Sequence, residues 1–97
     1  MKKDDFVKLS YIFGSPKRTA ILVLVDNGVS EHLEIVKEMK RNFNIVIHSS
    51  ETYKHLHKLE KLDMVEHINR KWKSTHFGHY IVNIIENIGG KEYGFAK

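Results

Sequence analysis

Between Ser49 and Lys61 the chain sets hydroxyl, phenol, imidazole and ammonium groups at helical spacing. Taking ~100° per residue, Thr52, Leu56 and Leu59 share one face of a helix. Ser50, Tyr53, Lys54, His57 and Lys61 then fall on the opposite face, with Ser49 and Lys58 beside it and no carboxylate near its centre. Such groups donate hydrogen bonds to phosphate oxygens and to the acceptor-rich base edges of a major groove. Glu51, in the first turn, suits the positive end of the helix and is placed to accept from a cytosine amino group. Arg70, Lys71 and Lys73 form a second cationic cluster around Trp72. Both features have plainer readings: a Lys-rich outer face is common on solvated helices, and a hairpin Trp more often lids a core than meets a base.

Other chemistry is thin. His55 and His57 are two apart, diverge by ~200° on a helix and cannot chelate together. His76 and His79, three apart, could share a metal ion, but no third ligand precedes them, so surface or capping roles are expected and no metal or cofactor is assigned. The absence of cysteine excludes disulfides, thiol catalysis, Cys-type zinc sites and iron–sulfur clusters. There is no Gly-rich phosphate loop, no Ser-His-Asp set with workable spacing and no desolvated carboxylate pair, so no enzyme is expected.

The elements that must position these groups follow from the rest of the chain. Its 97 residues fit one domain, residues 1–97. Lys plus Arg is 16 against 12 Asp plus Glu, a formal charge of +4, and this mildly basic balance suits nucleic acid. Plentiful Lys, Glu and Ile without glutamine lean toward a heat-adapted source. The apolar run Ala20–Val25 is far short of the ~20 residues of a membrane span, and no signal segment is visible; a cytoplasmic protein is expected.

Residues 4–13 space their apolar side chains as a short helix. Ser15-Pro16 predicts a helix start, and the helix runs to about Asp26, where Asn27-Gly28 ends it. Its Val and Ile content also suits a strand, but the cap decides for helix. Ser30 opens a second helix with Leu33, Ile35, Val36 and Met39 inward, broken at residues 42–44. After an apolar link, Ser49 or Ser50 caps a third helix reaching about Leu62. Residues 65–69 read as a strand, Asn69-Arg70-Lys71 as a tight turn and residues 72–74 as the return strand. Ser74 or Thr75 caps a last helix, stopped by Gly89-Gly90; residues 89–97 read as a flexible tail. The class is mainly α with a short β-hairpin, the order of a winged helix-turn-helix.

The stretch from Ser49 to Glu66, with His55-Leu56, Leu59, Leu62 and Met64-Val65, resembles the recognition-helix region of ArsR/MarR-type winged-helix transcriptional regulators. Ser15 to Leu22 is similar to that family's first core helix, and Thr75-His76-Phe77-Gly78 to the Thr-x-x-Gly that opens its helix after the wing. The three matches lie in order over residues 13–85. One departure is Asp63, where the family usually has Gly. The resemblance implies a DNA-binding domain, residues 1–97, with an N-terminal helix over residues 1–13. Ser49, Ser50, Tyr53, Lys54, His57, Lys58, Lys61, Arg70, Lys71 and Lys73 would meet double-stranded DNA, and His55 would pack near the turn. It also implies a homodimer through the first and last helices. Phe6, Leu9, Ile12 and Phe13, with Tyr80, Ile81, Ile84, Ile85 and Ile88, offer the apolar surface for it. The alternatives are a winged-helix module for protein contact, and a metal-responsive repressor using His76 and His79.

Overall fold

The computed structural model describes Ile12 and residues 14–88. Helix α1 (Pro16–Asp26) starts as expected: the Ser15 hydroxyl accepts from the Arg18 amide, and Pro16 occupies the first helical position. Thr19, fully buried, donates its hydroxyl to the Ile12 carbonyl at 2.8 Å. All residues from Thr19 to Val25 are buried, so α1 is the central element. At its end Gly28 takes a left-handed φ of 99°. The Val29 and Gly28 amides return to the Leu24 and Val25 carbonyls, closing a Schellman motif.

Helix α2 (His32–Phe43) begins later than Ser30. Ser30 does not cap it; Glu31 is the cap residue, without a side-chain bond. The Ser30 carbonyl instead accepts the Trp72 amide at 2.8 Å, tying the loop to the hairpin. Ile35 and Met39 are buried, whereas Leu33 is exposed, because two residues on a helix diverge by ~200° and Leu33 cannot share the inward direction of Ile35. Asn44 ends α2 in the left-handed conformation.

Helix α3 (Ser49–Lys61) is likewise capped one residue earlier than expected, by His48 rather than Ser49 or Ser50. Thr52, Leu56 and Leu59 are its buried face. Asp63 closes α3 with the same Schellman pattern as α1: φ is 62°, and the Met64 and Asp63 amides reach the Leu59 and Glu60 carbonyls. A non-glycine residue pays about 1–2 kcal/mol for that conformation. Thr75 donates to the Asp63 carbonyl at 2.6 Å and so braces the corner.

Strands β1 (Val65–Ile68) and β2 (Lys71–Ser74) pair antiparallel, with Ile68 opposite Lys71 and His67 opposite Trp72. The turn is Asn69-Arg70 alone, one residue shorter than expected, and both residues have positive φ (51° and 66°). That is the two-residue turn whose twist matches the strands. Helix α4 (His76–Ile88) is capped by Thr75, whose hydroxyl accepts the Gly78 amide at 3.0 Å. Gly78 is required there: a Cβ would stand 1.9 Å from the Met64 carbonyl oxygen.

Ile21 and Leu22 of α1, Ile35 of α2, Leu56 of α3, Trp72 of β2 and Ile81 of α4 join in one core. The chain is thus mainly helical with a two-stranded hairpin, an arrangement compatible with a winged helix-turn-helix. No described helix is long and apolar enough to cross a membrane.

Candidate nucleic-acid interface

The inward set Thr52, Leu56 and Leu59 fixes what α3 turns outward. Ser49, Ser50, Tyr53, Lys54, Lys58 and Lys61 are exposed, and His57 is half-buried. The expected face therefore exists as a surface. Two carboxylates border it. Glu60 lies 3.3 Å from His57 Nδ1. Glu51 turns toward α1, where its Oε2 accepts from Lys17 Nζ at 3.0 Å and lies 3.7 Å from His55 Nε2. This corrects the reading of Glu51 as a base contact: its position, ~70° off the face centre on the α1 side, brings it to Lys17 instead.

That bond to Lys17 holds the Glu51 carboxyl below its ordinary value, although partial desolvation opposes it. Burial, followed by the charge of Arg18, pushes His55 below the ordinary histidine value, with Glu51 acting in the other direction. His55 is therefore a neutral packing residue, as its place beside α1 suggests.

Five aromatic rings gather at one edge of the α3 face. Tyr53 stacks on His32 from the start of α2 at 5.3 Å and meets the edge of His57 at 4.2 Å. Trp72, 2 % exposed, stands 6.3 Å from Tyr53 and 5.7 Å from His57. His67 lies flat on the other strand's Trp72 at 4.0 Å and 5°. Trp72 is thus a lid over the core and the floor of this array. His32 and His67 escaped sequence reasoning. His67 was within reach of it: a two-residue turn at Asn69-Arg70 sets His67 opposite Trp72 by counting alone. His32 had no such signal, because only the tertiary return of the 44–48 segment brings α3 beside it.

The hairpin does not present its cations as one cluster with α3. Side chains alternate along a strand, so Val65, His67, Trp72 and Ser74 lie on the body side and Glu66, Ile68, Lys71 and Lys73 on the outer side. Lys71 and Lys73 line an open groove of about 510 Å³ with Asp26, Ser30 and Ile68. Arg70 stands exposed at the tip between the two faces.

At the opposite corner Asp26, with a side chain 8 % exposed, accepts from Ser74 Oγ at 2.7 Å and from His79 Nδ1 at 2.9 Å. This carboxylate pins the end of α1 to β2 and α4. It also engages one nitrogen of His79, and among the described residues no group of three potential ligands could hold a metal ion. Of the expected dimer residues, Ile12, Ile81 and Ile85 are fully buried within the single chain and cannot face a partner. Ile81 and Ile85, four apart, are the face α4 turns to the core. Tyr80 is 52 % exposed, and Ile84 is half-buried. Phe6, Leu9, Phe13 and the Ile88 side chain lie outside the described residues, as do the helix expected before Ile12 and the tail expected over residues 89–97.

No protein-family model, no curated protein and no solved structure matches the chain.

Proposed function

We propose that this protein is a homodimeric winged helix-turn-helix, of the ArsR/MarR type its sequence resembles, that binds double-stranded DNA and regulates transcription in the cytoplasm. The observation that carries the reading is the outer face of α3: Ser50, Lys54, Lys58 and Lys61 stand exposed, and both bordering carboxylates are engaged by neighbours. A helix of this composition beside a hairpin fits a major groove, with lysines on phosphates and Ser49, Ser50, Tyr53 and His57 toward base edges. Arg70 extends the phosphate contact from the hairpin tip, while Lys71 and Lys73 on the outer strand face reach only backbone that curves around the hairpin. The protein acts by occupying its site and performs no chemistry. Pairing of two copies through Tyr80 and Ile84 sets two α3 helices on successive grooves ~34 Å apart.

The test is duplex binding by fluorescence anisotropy across salt concentrations. Affinity falls with salt with a slope of about −0.9 per phosphate engaged, and Lys54→Glu combined with Lys58→Glu abolishes binding while the fold remains. Absence of salt-sensitive binding to any duplex, including a random pool, refutes the reading. Sedimentation tests the dimer: Tyr80→Glu yields monomers.

A further inference from the structure

Tyr53 differs from Lys54, its neighbour on the same helix, in being held by rings of other elements. A lysine on an exposed face keeps its rotamer freedom and answers to charge alone. The Tyr53 ring is packed on one side by His32 and on another by His57, with the buried Trp72 indole beneath. Its remaining exposure, 43 %, leaves the ring reachable from solvent in a fixed orientation. A side chain ordered before contact loses less entropy on binding, and a fixed donor discriminates between base edges where a mobile one does not.

His32 carries most of this order from outside α3. Its Nε2 lies 2.8 Å from the Ser49 carbonyl oxygen and 2.9 Å from the Ser49 hydroxyl. A carbonyl only accepts, so Nε2 bears the proton and donates it. The same carbonyl stands in helical register to accept the Tyr53 amide four residues on. One imidazole thus fixes the first turn of α3 by hydrogen bond and the Tyr53 ring by stacking. The ordinary alternative, a surface ring cluster that only adds stability, would give Tyr53 and His32 no joint effect on which duplex is chosen.

We propose that, of the groups this face turns toward base edges, Tyr53 carries most of the sequence preference, and that His32 is its positioning residue. The inference rests on the DNA-binding reading above and extends it to specificity. The lysines supply affinity for any duplex; Tyr53, held by His32, supplies most of the preference among duplexes.

The experiment uses the full chain. A duplex enriched from a random pool and a scrambled duplex of equal length are titrated with wild type, Tyr53→Phe, His32→Ala and the double variant. Tyr53→Phe keeps the ring and removes the hydroxyl. The ratio of the two affinities falls about ten-fold in each single variant, chiefly through weaker binding to the enriched duplex, while the salt slope, which the lysines set, is unchanged. The double variant falls no further than Tyr53→Phe alone, because His32 acts through Tyr53. An unchanged ratio in Tyr53→Phe, with duplex binding intact, overturns this inference and leaves the DNA-binding reading standing. Additive losses in the double variant overturn the positioning role of His32. If His32→Ala does not fold at the assay temperature, His32→Leu, which fills the space but can neither stack nor donate, takes its place in the cycle with the same expected ratio. Failure of the wild type to bind any duplex removes both readings together.

Discussion

Arg70→Gly separates what the hairpin tip costs from what it does. Arg70 holds a φ of 66° beside Asn69 at 51°. Asparagine tolerates this region; arginine is destabilised there by about 1–2 kcal/mol. Glycine removes that strain but has more unfolded freedom to lose, about 0.5–1 kcal/mol. The net expectation is a gain of about 0.5–1 kcal/mol, since Asn-Gly is the sequence this two-residue turn prefers. For a domain of this size that raises the melting temperature by about 2–8 °C. The same variant removes a cation that the proposed function sets on a phosphate, so the salt slope of DNA binding should shrink by about 0.9. Thermal melting followed by circular dichroism reads the first effect and anisotropy the second. A variant that melts lower than wild type refutes the strain argument, because the guanidinium must then be making a stabilising contact. A salt slope that does not change refutes the tip as a DNA contact. Both effects together show a residue kept where it is strained for the sake of binding.

Gly78→Ala places a Cβ 1.9 Å from the Met64 carbonyl oxygen, and since backbone must move, the loss should reach or exceed the usual overpacking cost of about 1–3 kcal/mol; denaturant unfolding measures it, and a neutral result means the α4 corner gives way freely. Trp72→Ala removes the lid of the core and should cost about 3–5 kcal/mol in the same assay. His55 gives stability a dependence on pH. Its proton affinity is lowered in the folded state, so the unfolded chain binds more protons and stability falls as pH drops through the ordinary value of 6.5. Glu51, also lowered, adds a second loss as pH falls below 4.5. Unfolding of wild type and His55→Leu at several pH values should show the upper limb in the wild type alone, and identical profiles contradict it.

Most of the fold was legible because its signals are local. Ser15-Pro16 fixes a helix start by hydrogen bonding and a preset φ, and Asn27-Gly28 fixes the stop. Asp63 shows the same logic at a cost: the Schellman geometry is set by hydrogen bonds from Met64 and Asp63, and it forms without the glycine that would ease it. The misplaced starts of α2 and α3 have one cause. A serine before an apolar stripe looks like a cap, but the Ser30 carbonyl and Ser49 hydroxyl are taken by partners 42 and 17 residues away. No window along the sequence contains both ends of such bonds.

The outer face of α3 divides along the same line. The exposed groups of α3 follow from three inward residues and a fixed turn per residue, so Lys54 and Lys61 could be placed without coordinates. The ring array could not, because it draws on α2, α3 and both strands. Alternation on the hairpin supplies the remaining step. Once the turn is two residues, Trp72 and His67 must share one face of the hairpin, and Lys71 and Lys73 must lie on the other. Nearness in sequence to Arg70 and Trp72 therefore does not give those two lysines the same surface as α3. Of the hairpin's cations, the one at the tip is the one that could act together with those on the outer face of α3. This is why the charge test belongs on Lys54 and Lys58, and why a reversal at Lys73 should weaken DNA binding least.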